Sequence, residues 1–437
     1  MKTYGMSWSD LCTPTSSPNT TPRVADRSAD ARADRAEQLR EAGTTRPMTP
    51  LGPKKVGFVG WRGMVGSVLL QRMNQESDWE HMEPVFFTTS QAGQPGPVVG
   101  KAGVSKPLVD ARDLEALSSC AVVVSCQGGD YTEDVHPKLR GSGWGGYWID
   151  AASTLRTQED AVIVLDPVNR GVIDTALVDG GKDFVGGNCT VSLMLMALGG
   201  LFEAGVVEWV SSMTYQSASG AGARHMTELV EQMKHLGKCA DDAKKNKWSA
   251  LELEHAVHAS MRGEVREDGS SFPTEQFGAP LACSLLPFID KPMADGRSKE
   301  EWKGMFETNK ILSGVGVKHE IPVDGACVRV GALRCHSQGI TLKLKSAMPL
   351  EDVEELIKNH NEWVEFVPND KEQTMKRLTP CHVAGGLNVA VGRVRTMTLG
   401  PEYLTVFTVG DQLLWGAAEP VRRALRVVLA HLEGKRW

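Results

Sequence analysis

Short apolar runs alternating with helical stretches constrain this chain more than any other feature. From Lys55 onward, Val56-Gly57-Phe58-Val59-Gly60 is followed by Met64 to Met73 at helical spacing, and then by Pro84-Val85-Phe86-Phe87-Thr88-Thr89-Ser90. Ala121 to Ser125, Gly146 to Asp150 and Ala161 to Leu165 are runs of the same kind. Strands apolar on both faces and joined by helices imply a parallel sheet covered on both sides. The expected class is α/β, with a doubly wound first domain. After Cys189 the strands lengthen and alternate, as in Val206 to Gln216, Ala326 to Leu333, Gly339 to Leu344 and Tyr403 to Val409. That pattern predicts a second, α+β domain whose sheet is mostly antiparallel or mixed, with one covered face. The final segment, Asp411 to Glu433, carries Leu413, Leu414, Ala417, Val421, Leu425, Val428 and Leu429 at helical spacing, and is expected to pack on one of the two domains.

Residues 1–54 read differently. They are rich in Ser, Thr, Pro, Ala and Arg with almost no large apolar side chain after Leu11, which predicts a disordered extension. The segment lacks the apolar core of a signal peptide, and Asp26, Asp30, Asp34, Glu37 and Glu41 do not suit an organelle transit peptide. A true start near Met48 is an alternative reading. At 437 residues the chain can bury the cores of two domains. Its net charge of -6 gives no footprint for nucleic acid, and no apolar run reaches membrane-spanning length. The nine cysteines include no C-x-x-C pair and no zinc-ligand spacing, so reduced thiols in a cytosol are expected, with no metal site.

The turn Gly60-Trp61-Arg62-Gly63-Met64-Val65-Gly66 lies between the first strand and the first helix, the context of a dinucleotide-binding turn. Its glycines permit a tight bend and its helix N-terminus favours a pyrophosphate. The spacing is G-x-x-G-x-x-G, a weak motif by itself, and a glycine-rich turn without ligand is the alternative. With the flanking strands it predicts a Rossmann-like nucleotide site. The second strand ends in Thr88-Thr89-Ser90, without an acid to bind a ribose hydroxyl, while Arg62 sits in the turn. NADP is therefore expected over NAD.

Gly186-Gly187-Asn188-Cys189-Thr190-Val191-Ser192 sets a thiol at the start of an apolar helical run, with Asn188 or Thr190 as its cap. A helix N-terminus lowers a thiol pKa and can hold an oxyanion, so Cys189 reads as a nucleophile. A buried structural cysteine is the alternative. Arg329 and His336 end an alternating strand but would face opposite sides of it unless a bulge at Gly331 or a turn before His336 intervenes. Glu300 and Lys303 share one helical face over Ser298 to Leu312, either as a surface ion pair or as ligand groups. Arg156 follows the end of a parallel strand, where such sheets bind ligands, and Tyr215 to Arg224 supplies small residues after a second-domain strand.

Together these segments, with Cys126 to Thr132 and Phe407 to Pro420, make the chain from about Lys55 to Glu433 resemble the aspartate-semialdehyde dehydrogenase family of the Gram-negative bacterial type. The resemblance implies that Cys189 forms an acyl-thioester, His336 is the general acid/base and Gln216 orients the acyl group. It implies Glu300 and Arg329 at the amino acid end, and Arg156 and Lys303 at phosphate with Asn188 beside them. For NADP it points to Arg62, Gly63, Met64, Val65, Thr89, Ser90, Gln127, Ser219, Gly220, Ala221, Gly222, Ala223 and Gln412. The implied domains are 55–187 plus 411–437 for NADP and 188–410 for catalysis and dimerisation. The implied ligands are aspartate semialdehyde, aspartyl phosphate and inorganic phosphate, in a homodimer. The sequence departs from the family at Cys239 to Trp248, where Lys247 replaces a proline near the cofactor, at Gly314 to Glu320, which is longer than usual, and over 1–54. Rival readings are a related acyl-phosphate reductase, acting on N-acetylglutamyl phosphate or a phosphoglycerate, and a nucleotide-sensing protein without turnover.

Overall fold

The computed structural model describes residues 53–100, 105–265, 269–315, 317 and 319–437. The first seven strands are β1 (Lys54–Val59), β2 (Met82–Thr88), β3 (Val109–Asp110), β4 (Val122–Ser125), β5 (Tyr147–Asp150), β6 (Val162–Val164) and β7 (Asp183–Gly186). They form one sheet in the order β3-β2-β1-β4-β5-β7-β6, and every neighbouring pair is parallel. The strand order reverses at β1, so the turns after β1 and β4 lie side by side at their carboxyl ends, where doubly wound sheets bind ligands. β1 starts at Lys54, the last residue that composition assigns to the N-terminal extension. Residues 1–52 of that extension lie outside the described residues, as do positions 316 and 318 of the long Gly314 to Glu320 segment.

The second sheet contains β8 (Val207–Gln216), β9 (Leu285–Leu286), β10 (Val323–Val330), β11 (His336–Leu344), β12 (Val364–Phe366), β13 (Val389–Met397) and β14 (Gly400–Gly410). Its order is β12-β13-β14-β11-β8-β10-β9, with β8/β10 and β12/β13 parallel and the other pairs antiparallel. Thr190 to Phe202 of the helix Cys189–Glu203 are all buried, and its leucines pack with Val210, Ile340 and Leu404 of this sheet and Ile163 of the first. A helix apolar on every side belongs inside a molecule, and this one fills the core between the two sheets. The opposite face of the second sheet is open: Met213 and Tyr215 are 41% and 39% exposed, and Tyr215 stacks on Phe407.

The C-terminal segment returns to the first sheet, with Val421, Leu425 and Val428 in one core cluster with Val122, Tyr147 and Phe184. Its expected helical character is found from Leu414 onward. A π-helical turn, Leu414–Ala418, precedes the α-helix Glu419–Leu432. Lys247 is the residue that replaces a proline in the departure from the family pattern. It ends the 24-residue helix Ala223–Asn246 in the left-handed region, about 36 Å along the helix from the Ser219 to Ala223 turn. Lys247 and the Ser219 to Ala223 turn thus lie at opposite ends of this helix.

Candidate active site

The helix Cys189–Glu203 starts where β7 ends, after only Gly187 and Asn188. Asn188 is its cap: Oδ1 accepts from the Thr190 and Val191 N–H groups at 3.0 and 3.2 Å. The Asn188 N–H itself donates to Glu307 Oε2 at 2.6 Å. At this helix end the Cys189 N–H alone keeps no partner among the described residues. The expectation that the helix end lowers the thiol pKa is corrected by this arrangement. Burial pushes the Cys189 thiol up to about 12, with the Glu300 carboxylate adding to the rise and Arg329, Arg156 and Lys303 opposing it. The cap has taken two of the amides that would otherwise favour a thiolate.

β8 lies between β10 and β11, which brings Gln216, Arg329 and His336 to one end of the second sheet. Gln216 pairs in register with Arg329, and Tyr215 with Ser337. The chain crosses from β10 to β11 through a turn before His336, with Cys335 at φ 72° and its N–H donating to Gln412 Oε1 at 2.8 Å. Of the two routes open in the sequence, the turn rather than the Gly331 bulge unites Arg329 with His336. His336 Nδ1 accepts the Ser217 N–H at 3.1 Å, which assigns the ring proton to Nε2. Burial, with Arg329 nearby, pushes the imidazole down to about 3, so the ring is neutral at physiological pH. Gly220 lies against both groups: a Cβ there would be 2.9 Å from His336 Cε1 and 3.0 Å from Arg329 Nη1. No other residue fits without displacing them.

A cleft of roughly 420 Å³ collects Arg156, Asn188, Cys189, Gln216, Glu300, Lys303 and Arg329, with Val65, Ser219, Gly220 and Gln412 also lining it. Glu300 is its polar centre, accepting from Asn188 Nδ2 at 2.9 Å, Gln216 Nε2 at 3.3 Å and Lys303 Nζ at 3.0 Å. Burial works against its charge, yet Lys303 and the two amides hold its carboxyl below the usual carboxylate range. The Glu300 and Lys303 pair is therefore not a solvated surface pair. Burial also opposes the Lys303 charge, and Glu300 with Asp290, at 2.7 Å, raises its pKa nonetheless. Arg329 donates to the Ser217 carbonyl at 2.8 Å. Asn188 stands beside these groups, but its amide is already engaged by the helix end and Glu300.

The turn after β1 meets this cleft through Val65. Gly60 has φ 74°, and a Cβ there would lie 2.4 Å from the Cys126 carbonyl carbon, so the turn seats closely on the loop after β4. Gly63 caps the helix Met64–Gln75. Arg62 stacks over Trp61 and donates to Gln91, to Thr88 at 3.2 Å and to Ser90 at 3.5 Å. These partners are neutral, so among the described residues its charge has no carboxylate opposite it, as an anion site requires. Thr89, Ser90 and Gln127 are exposed around the turn, and Ala221, Gly222 and Ala223 carry the chain from the cleft into the long helix. The glycine cradle, the helix N-terminus and the uncompensated arginine fit a phosphate-bearing dinucleotide.

Two residues that the sequence did not single out belong to this centre. Ser217 fixes the His336 ring, and its signal was only adjacency to Gln216. Glu307 binds both Arg156 and Asn188. It lies seven residues after Glu300 on one helix, a spacing that repeats a helical face and could have revealed it.

Comparison with known proteins identifies the family. The family model described as semialdehyde dehydrogenase, NAD binding domain, matches residues 55–176, and that described as semialdehyde dehydrogenase, dimerisation domain, matches residues 198–415. The aspartate semialdehyde dehydrogenase from Francisella tularensis is 46% identical, covers 86% of this chain and 99% of its own, and superposes with a TM-score of 0.80. Aspartate semialdehyde dehydrogenase II from Vibrio cholerae, solved as a complex with ASA, is 22% identical over 88% of this chain and 99% of its own, with a TM-score of 0.69. The Candida albicans enzyme, solved with NADP, is 18% identical over 88% and 99%, at 0.58. The last two share the fold. With both halves matched by semialdehyde dehydrogenase models and nearly half the residues identical to the Francisella enzyme, this chain belongs to the aspartate-semialdehyde dehydrogenase family.

Proposed function

We propose that this enzyme interconverts L-4-aspartyl phosphate and L-aspartate 4-semialdehyde with NADP and inorganic phosphate, on the route to lysine, diaminopimelate, threonine and methionine. The observation that carries the reading is one cleft holding a thiol, three cations and a buried carboxylate, with the His336 imidazole against its Gly220 and Val65 of the turn that fits a dinucleotide on its lining. Arg62, Gly63, Met64 and Val65 would hold NADP, with Thr89, Ser90, Gln127, the Ser219 to Ala223 turn and Gln412. When bound, NADPH supplies the hydride that reduces the thioester, and NADP accepts it in reverse.

In the biosynthetic direction the Cys189 sulfur attacks the acyl carbon, the C–O bond to phosphate breaks, and phosphate leaves towards Arg156 and Lys303. The high thiol pKa means that S–H loss accompanies attack, the proton departing with phosphate. The free Cys189 N–H and Gln216 hold the acyl oxygen as charge develops on it. A thioester accepts hydride more readily than a carboxylate, which is what the covalent step contributes. Hydride addition leaves a hemithioacetal oxyanion; as it collapses the C=O bond forms, the C–S bond breaks, and His336 hands its Nε2 proton to the departing sulfur while regaining one from solvent, so the ring ends neutral. Glu300 faces a free ammonium and Arg329 the α-carboxylate, which favours an amino acid substrate over an N-acylated one. We also propose a homodimer through the open face of the second sheet around Met213, Tyr215 and Phe407, and, on the reduced-thiol argument, a cytoplasmic location.

The test is NADP reduction with aspartate semialdehyde, with and without phosphate. Activity should require phosphate and fall by at least about a thousandfold in Cys189→Ala. Turnover indifferent to phosphate, or preserved in the variant, would sink the mechanism.

A further inference from the structure

We propose that Glu307 is a positioning residue for this reaction, orienting Arg156 and anchoring the main chain from which Cys189 projects; the proposal rests on the reading of Arg156 as a phosphate-binding group. Glu307 is 1% exposed and spans two partners. Its Oε1 accepts from Arg156 Nη1 at 3.0 Å, and its Oε2 accepts the Asn188 N–H at 2.6 Å. Arg156 in turn donates from Nε to the Gly186 carbonyl at 2.8 Å and from Nη2 to the Gly187 carbonyl at 3.1 Å. Gly186, Gly187 and Asn188 are the consecutive residues leading into Cys189, so one buried ion pair holds all three.

A guanidinium carries five N–H bonds, and these contacts use one on each nitrogen. One N–H remains on each terminal nitrogen, a fork whose spacing matches two oxygens of a phosphate. Arg156 lines the same cleft as Cys189, so the fork's direction and the thiol's position are set by the same carboxylate. Stability alone does not account for the arrangement, because a buried ion pair is weak evidence for stability and an apolar pair of similar volume often serves as well or better.

Glu307→Gln preserves shape but offers one acceptor where two donors converge. Its amide nitrogen must face either Arg156 or the Asn188 N–H, donor against donor. In the full-length protein the variant should raise the phosphate KM about tenfold and lower kcat, with the KM for NADP unchanged. The phosphate concentration that half-protects Cys189 from alkylation should rise in parallel, a readout independent of turnover. Because Glu307 acts through Arg156, the variant should add little in an Arg156→Gln background. Glu307→Asp, one methylene too short to span both partners, should shift phosphate KM in the same direction, and it is read on the same criterion where Glu307→Gln does not fold. A phosphate KM within threefold of wild type in the folded variant overturns the proposal, as does loss of fold in both, which would assign Glu307 to stability. Wild-type turnover that ignores phosphate would overturn the functional reading itself, and is distinguishable from a wild-type dependence left unchanged by the variant.

Discussion

At the scale of single residues, the candidate site keeps its thiol and its imidazole uncharged. Cys189 is held up to about 12 chiefly by burial, and His336 down to about 3 by burial and Arg329. A histidine in the unfolded chain takes up its proton near 6.5, whereas the folded protein resists that uptake. The unfolded state therefore binds more protons between these values, so native stability falls as pH drops from about 6.5 towards 3. His336→Gln removes this source of acid lability. Thermal midpoints measured over that range should decline less steeply in the variant than in wild type, and parallel curves would contradict the assignment. Both residues were legible in the sequence as candidates. Their protonation was not, because it depends on how deeply each is buried and on carboxylates and cations contributed from elsewhere in the chain.

At the scale of elements, the helix Cys189–Glu203 does two jobs through one cap. Asn188 satisfies two amides at its start and donates to Glu300, so the helix end and the Glu300 carboxylate are tied together. Asn188→Ala should destabilise the fold by about 1–2 kcal/mol. A lowered urea midpoint at unchanged slope is the expected measurement, together with weaker substrate binding as Glu300 loses a donor. The helix itself was readable from its apolar run, as were most strands of the first sheet. β7 was not, since Asp183 to Gly186 is a short run that ends on the first glycine of the Gly186 to Ser192 motif. The π-helical turn at Leu414–Ala418 was also hidden. A Cβ on Gly416 would come within 2.7 Å of Cys189 Cβ, so close tertiary packing rather than local spacing governs that stretch.

At the scale of the molecule, two sheets of different character meet at one central helix, and the cleft opens where the end of β7 faces the end of β8. The proposed dimer leaves this cleft intact and covers the open face of the second sheet. Replacing Tyr215 and Phe407 together by lysine should halve the mass seen by light scattering while leaving the isolated fold's circular dichroism unchanged. A variant that stays at the wild-type mass would show that a different surface pairs the subunits. The sequence by itself determined the α/β class and the change of sheet character after Cys189, and it offered the glycine turn, the thiol and the imidazole as candidates, because periodicity and glycine placement are local properties of a chain. Only the tertiary structure decided that β10 and β11 flank β8, which brings Arg329 and His336 together. It alone placed Glu307 between Arg156 and Asn188, and it alone set the charge state of Cys189. Strand order, burial and partners distant in sequence are properties of the packed molecule, and no stretch of the chain encodes them alone.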